Sequence, residues 1–394
     1  MKPGLHAAAL LLLMWMHTAN ATITQLPGLV REPVRLDVTL PDGTHAELEA
    51  LLTRPDKPGR FPVAIINHGV ARDIRMIAAQ APESYSGPAI VFAQHGYAAI
   101  VVNRRGFGLS SELLHNPVGP CSDRDYVRIG RDWAVDVLAA AARVRHEPWA
   151  DPERILLVGH SAGGFAALAG ATNAPPGVVG IIAFSGAFGS PLEDFVCQPE
   201  RLIEAMHAFG ENVHIPSLWI YAQNDHFFGP VLARQMFDAY TASGAPAEFD
   251  AAAPFGRDGH LLMFAATPAP WWPRVASFLA QQHLPTSLAV ELPPPMALPD
   301  PSGLDERGRE DFAAYLASRS YEKAFATDGK GHYDRAFGQR SQEDAEAAVL
   351  GHCKDRSWPV RFMRWAIISL RLDLPHKPGL LRRCGQQERK IRAG

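Results

Sequence analysis

The sequence predicts an α/β fold built on a mostly parallel sheet, and three observations lead there. Short runs rich in Val, Ile, Leu and Ala recur through residues 61–254, each bounded by Gly or Pro. Stretches with helical spacing of apolar residues separate them. Apolar strands alternating with helices need cover on both faces, which is the arrangement of a parallel sheet. The third observation is the opening: Val34–Leu40 and Ala46–Thr53 flank the turn PDG, so the sheet should begin with an antiparallel pair.

The strand candidates then follow in order: FPVAIINHG (61–69), YAAIVVNRRG (97–106), RILLVGHS (154–161), GVVGIIAFSGA (177–187), PSLWIYAQND (216–225) and AEFDAAAP (247–254). The clearest helix is Asp123–His146, where Val127, Trp133, Val137, Leu138 and Val144 fall on one side and Ser122 with Asp125 supplies a capping-box start. These elements make a main domain over 22–284. After it, LPTSLAVELPPPMALPDPSG is rich in proline, and 285–303 reads as an extended linker. A small α+β module is expected over 304–360, with a helix at Glu306–Arg319, two short strands within Lys323–Phe337 and a capped helix over 341–353. Residues 361–394 carry Arg364, Arg371, Lys377, Arg382, Arg383, Arg389, Lys390 and Arg392 and read as a solvated basic tail.

With 394 residues, 47% hydrophobic and 20% charged, the chain has the composition of a globular protein large enough for one substantial core. A formal net charge of -3 gives no general field for nucleic acid, so no nucleic-acid partner is expected. Lys2, the apolar run Ala7–Met16 and Ala19-Asn20-Ala21 form the pattern of a secretory leader over 1–21. Export to the periplasm or the medium is the expectation, with the mature chain starting near Thr22 and no membrane association after cleavage. In an oxidising compartment the four cysteines, Cys121, Cys197, Cys353 and Cys384, suggest disulfides, and their spacing fits no zinc pattern. Cys121 and Cys197 both fall in loops of the main domain and are the expected pair; the state of Cys353 and Cys384 is left open.

One segment carries chemistry. Gly159-His160-Ser161-Ala162-Gly163 places a serine between a strand and a helix, at the end of a sheet where open α/β folds bind ligands. G-x-S-x-G at that junction is a nucleophile elbow, its glycines required by the tightness of the turn. A serine hydroxyl needs a base, and the base needs an orienting acid. In this architecture they follow in the order acid, then histidine. Asp225, just past the strand in LWIYAQNDHFFGP, and His260, in the glycine-bounded loop PFGRDGHLLMF, fill those places, with Asp258 and Asp194 as alternative acids. A developing oxyanion needs donors; the amide of Ala162 is one, and Val70, in the loop INHGVARD, is the expected second. His68, Arg104, His160 and His226 are candidates for the pocket, His160 more as a supporting layer. No metal or cofactor is required for this chemistry. The stretch Phe188–Gly210 is expected to form a pocket wall, whereas Trp271 and Trp272 fit the core as well as the substrate.

Taken together, NHG, NRRGFGLSS, GHSAGG, YAQND and DGH resemble the α/β-hydrolase family over about residues 34–282, and the branch most similar is the dienelactone hydrolase-like group of secreted or periplasmic enzymes. The namesake enzymes use a cysteine nucleophile where this chain has Ser161, so their substrate is not carried over. The resemblance implies that Arg104–Gly108 forms a loop beside the pocket. The C-terminal module is similar, through KAFA and SQEDAEAAVLGHC, to small domains appended to secreted bacterial proteins. There a second cysteine follows soon after the position of Cys353; here the next is Cys384. The function expected is cleavage of a small-molecule or polymeric carboxylic ester through an acyl-enzyme. A serine peptidase on the same scaffold and a non-catalytic binding protein are the rival readings. The module's partner is open, and removal of 299–394 is expected to leave ester turnover intact.

Overall fold

Alternate residues of the central strands bury on opposite sides of one sheet. Val63, Ile65, Ile155 and Leu157 join one apolar cluster, while Ala64, Ile66, Leu156 and Val158 join a second. That is why these strands read as unbroken apolar runs. The computed structural model describes residues 23–73, 75–112, 118–295, 297–355, 364–369 and 381–383. The predicted leader (1–21) and Cys384 lie outside them.

Eight strands form the main sheet: β1 (Leu29–Thr39), β2 (His45–Pro55), β3 (Phe61–Asn67), β4 (Ala98–Val102), β5 (Ala150–His160), β6 (Val178–Phe184), β7 (Ser217–Ala222) and β8 (Ala247–Ala252). Their order is β1-β2-β4-β3-β5-β6-β7-β8. β1 and β2 pair antiparallel, as do β2 and β4, and every later pairing is parallel. The helices are α1 (Arg75–Ala79), α2 (Ser86–Gln94), α3 (Tyr126–Val144), α4 (Ala162–Ala169), α5 (Pro199–Gly210), α6 (Pro230–Ala242) and α7 (Trp272–Gln281). α3 to α6 pack on one face of the sheet; α2 and α7 cover the other. α3 starts on a simpler device than the expected capping box: Asp125 is itself the cap, accepting the Arg128 amide at 3.0 Å, while Ser122 stays outside in a turn.

The chain runs from β3 outward to β4 and then returns to the other side of β3 as β5. Asn67 and Gly159 are register partners, so the loops after β3 and β5 leave the sheet side by side. This reversal of strand order opens the crevice in which α/β sheets bind ligands. Cys121 and Cys197 form a disulfide that ties the loop before α3 to the loop before α5.

Residues 285–303 contain no helix or strand among those described, yet they do not hang free. Ala289 and Val290 donate their amides to the Gln94 carbonyl at 2.7 and 3.0 Å, at the end of α2. Beyond them come α8 (Glu306–Ala317), β9 (Ala324–Thr327), β10 (Tyr333–Ala336), α9 (Gln342–Asp355), β11 (Arg364–Ser369) and β12 (Leu381–Arg383). The strands make an antiparallel sheet in the order β10-β9-β11-β12. Phe325 of β9 packs with Phe312 and Tyr315 of α8, while Ala324 and Ala326 pack against Ala345 and Val349 of α9. Within the expected basic tail, residues 364–369 read RWAIIS and pair as β11 with β9.

The C-terminal unit is bolted to the main sheet by two ion pairs, one wholly buried and one partly exposed. Arg31 of β1 grips both oxygens of Glu322 at 2.9 and 3.0 Å. Arg340 grips both oxygens of Glu49 of β2 at 2.7 and 2.9 Å and also reaches the Gln80 carbonyl at 2.7 Å. Paired guanidinium–carboxylate forks of this kind fix geometry as well as charge.

Candidate active site

At the end of β5 the backbone turns so sharply that Ser161 sits at φ 53°, ψ -123°, a conformation that non-glycine residues hold only under constraint. The constraint is the packing around it. A β-carbon on Gly163 would lie 2.2 Å from the Asn67 carbonyl oxygen, and one on Gly159 would lie 2.4 Å from the Gly163 backbone. Only glycine lets the elbow press this closely against β3. Among the described residues the Ser161 hydroxyl takes no hydrogen-bond partner.

Asp225 follows β7 and is buried. Its Oδ1 accepts the amides of Phe227 and Phe228 at 2.8 and 2.9 Å, leaving Oδ2 for His260 Nδ1 at 3.1 Å. Burial alone would raise the carboxyl's pKa. The hydrogen bond and charge of His260, with help from Ser185 and the Phe228 amide, outweigh it and hold the group below its ordinary value. His260 therefore donates from Nδ1 and leaves Nε2 as the proton-accepting nitrogen. The ring is clamped by Phe227, whose plane lies 13° from the imidazole at 3.9 Å, and Arg72 covers the far face of Phe227 at 3.7 Å.

The alternative acids are otherwise engaged. Asp258 Oδ1 accepts the amides of His260 and His226 at 2.9 and 3.1 Å, and so caps the 3-10 turn Gly259–Phe264. Asp194 pairs with His226 Nδ1 at 3.0 Å on the exposed rim, raising the pKa of that imidazole.

His160 lies beneath this rim, fully enclosed. Its Nε2 donates to the His260 carbonyl at 2.8 Å, so Nδ1 is the acceptor and takes the Tyr85 hydroxyl proton at 3.0 Å. The Tyr85 oxygen in turn accepts the Gly69 amide at 2.7 Å. Burial first, and then the neighbouring His260, push the His160 pKa down to about 3, which keeps the ring neutral and its tautomer fixed. Gly69 precedes Val70. Among the described residues no protein acceptor meets the amide of Val70 or of Ala162, so both remain available as donors.

Two pocket candidates lie elsewhere. His68 is buried, with Nδ1 donating to the Gly69 carbonyl at 2.7 Å and Nε2 accepting the Arg104 amide at 3.1 Å. Burial, reinforced by the Arg104 charge, holds its pKa well below the usual histidine value. The Arg104 side chain is also buried, donating to the His68 carbonyl at 2.7 Å and lying over the rings of Phe107 and Trp133 at 5.2 and 5.4 Å. Both side chains brace the loops that follow β3 and β4. Trp271 and Trp272 are buried in the second core cluster.

A cavity of ≈ 410 Å³ opens beside the clamp, lined by Asp194, Val196, Phe227, Val231 and Leu232 among others. Its wall includes residues of the expected Phe188–Gly210 stretch, in which Leu192 and Phe195 stand exposed, and Val231 of α6, exposed as well. Among the described residues no cluster of His, Cys, Asp and Glu is placed to hold a metal ion, and no helix is long and apolar enough to cross a membrane.

Sequence reasoning missed Tyr85, Phe227 and Arg72. The latter two stood in quoted loops, but nothing local marked Tyr85, which meets its partners only through tertiary structure.

A search of curated proteins finds no match to the sequence. Among solved structures, a candidate dienelactone hydrolase from Klebsiella pneumoniae is 18% identical with a TM-score of 0.44, over 64% of this chain and 99% of that one. An esterase from Pyrococcus furiosus is 16% identical with a TM-score of 0.45, over 64% of this chain and 92% of that one. A dipeptidyl peptidase 4 from Porphyromonas gingivalis is 17% identical with a TM-score of 0.45, over 64% of this chain and 35% of that one. Likeness at this level does not choose between ester and peptide. A family model described as the alpha/beta hydrolase family matches residues 78–350, well over half of the sequence. The chain belongs to the alpha/beta hydrolase family.

Proposed function

We propose that this protein is an exported serine hydrolase that cleaves carboxylic esters through an acyl-enzyme. Ser161 attacks the ester carbonyl, and its proton passes to His260 Nε2. Asp225 holds the imidazole in the required tautomer and stabilises the imidazolium that forms. The tetrahedral oxyanion falls between the amides of Ala162 and Val70. His260 returns the proton to the departing alcohol, and water then repeats the sequence to free the acid.

The observation that carries this reading is the buried Asp225–His260 pair, at 3.1 Å, on the same rim as the strained serine elbow. The apolar lining of the neighbouring cavity favours an ester with an apolar acyl or alcohol part. The Cys121–Cys197 bond and the N-terminal sequence pattern favour export.

The test is a fluorophosphonate probe followed by mass spectrometry of the mature protein. A single adduct on Ser161, absent from Ser161→Ala, supports the reading and opens an ester panel graded by acyl length. Folded protein that takes no adduct would turn the reading toward a binding protein that kept the fold.

A further inference from the structure

We infer that the C-terminal unit is a positioning element of the active site, acting through the 3-10 turn Pro82–Tyr85 and a hydrogen-bond relay from Tyr85 to His160. The inference rests on the serine hydrolase reading and adds residues to it; it also reverses the expectation that residues 299–394 are dispensable for turnover.

The turn is gripped on both sides of Tyr85. Gly338, at φ +61°, packs so closely that a β-carbon on it would lie 2.3 Å from Ser84 Cα. Arg340 fixes the Gln80 carbonyl at 2.7 Å, and Gln80 Nε2 reaches the Ser84 hydroxyl at 2.7 Å. On the other side, Arg31 donates to the Ser86 hydroxyl at 3.0 Å while Glu322 holds its guanidinium. Ser84 and Ser86 therefore both bear on groups that belong to the C-terminal unit or are fixed by it.

Tyr85 carries that constraint inward. Its oxygen accepts the Gly69 amide at 2.7 Å, one residue before the proposed oxyanion donor Val70. Its proton goes to His160 Nδ1 at 3.0 Å, and His160 Nε2 holds the peptide carbonyl of His260 at 2.8 Å. One hydroxyl thus sets the height of the donor loop and, through a neutral imidazole, the backbone of the proposed base. A small displacement of the turn moves both sides of the reacting carbonyl, where catalysis is most sensitive to geometry.

The experiment measures kcat and KM on a chromogenic short-chain ester, with the rate of Ser161 phosphonylation, in Tyr85→Phe, Arg340→Ala, Arg340→Lys and the double variant Tyr85→Phe/Arg340→Ala. All are read well below their melting temperatures. Tyr85→Phe is expected to lower kcat and the labelling rate about tenfold, since two buried partners lose their mate, with KM changed much less. Arg340→Ala is expected to lower them roughly fivefold, and Arg340→Lys to recover part of the loss. The double variant should fall no further than Tyr85→Phe alone, because both act along one route. If Arg340→Ala does not fold, Arg340→Gln is read in its place. Arginine variants with wild-type kcat and labelling, or a double loss equal to the product of the single losses, would overturn the inference. Wild-type protein that takes no adduct at Ser161 would remove the function reading first, and this proposal with it.

Discussion

Phe227 lies flat on His260, ring centroids 3.9 Å apart and planes 13° from parallel, with the Arg72 guanidinium over its other face. The stack limits rotation of the imidazole about the bond that Asp225 does not control. Phe227→Ala is expected to lower kcat about tenfold, with Phe227→Leu in between, from the loss of an aromatic contact worth about 1 kcal/mol and the freedom it releases. Steady-state kinetics on an ester substrate check this, and an unchanged kcat in folded protein would assign the ring to the cavity wall alone.

Asp225→Asn keeps the shape of the side chain and an acceptor for the amides of Phe227 and Phe228, but loses the charge facing His260. The expected fall in kcat is on the order of 10⁴, with little change in melting temperature. The same measurement on Asp258→Asn separates the two acids: Asp258 caps backbone amides, so its loss should weaken the turn more than the chemistry.

Glu83 is buried in the turn beside Tyr85, and its Oε2 has no partner among the described residues. Burial, and then the carboxylates of Glu322 and Glu49, push its pKa from 4.5 up to about 7. The folded chain thus keeps a proton that the unfolded chain releases, and the stability this contributes is full below 4.5 and is lost as pH rises through about 7. Glu83→Gln removes the titration. Its melting temperature is expected to fall less than that of the wild type between about pH 5 and pH 8. Parallel melting curves across that range would place the response in another group.

Replacing Cys121 and Cys197 together by Ala opens a loop of sequence separation 76 that contains Ser161. Loss of the crosslink is expected to cost about 2–4 kcal/mol in denaturant unfolding under non-reducing conditions. Indistinguishable midpoints would mean that the two loops are held by packing, for example by Tyr126, whose hydroxyl donates to the Cys197 carbonyl.

The sheet was legible because strands covered on both faces cannot hide their apolar character, and the elbow because Gly159 and Gly163 answer a local steric demand. Asp225 and His260 could be picked out by their places at strand and loop ends, and the structure sets them 3.1 Å apart. What stayed hidden depends on distance along the chain. Tyr85 and His160 are 75 residues apart, and neither neighbourhood announces the other. Arg104 came to notice through the family resemblance alone, and nothing in its neighbourhood announced that its side chain would be buried over Trp133. β11 was read as tail because Arg364 and the basic residues after it masked its apolar centre.

The Arg31–Glu322 pair joins residues 291 positions apart, both side chains wholly shielded from water. During synthesis at about 5–20 residues per second, Arg31 waits roughly 15–60 s before its carboxylate partner exists. Until then β1 carries a cation that the finished fold has no water to solvate, so this edge of the sheet can close only late. A carboxylate made 291 residues later thus acts as the latch for β1.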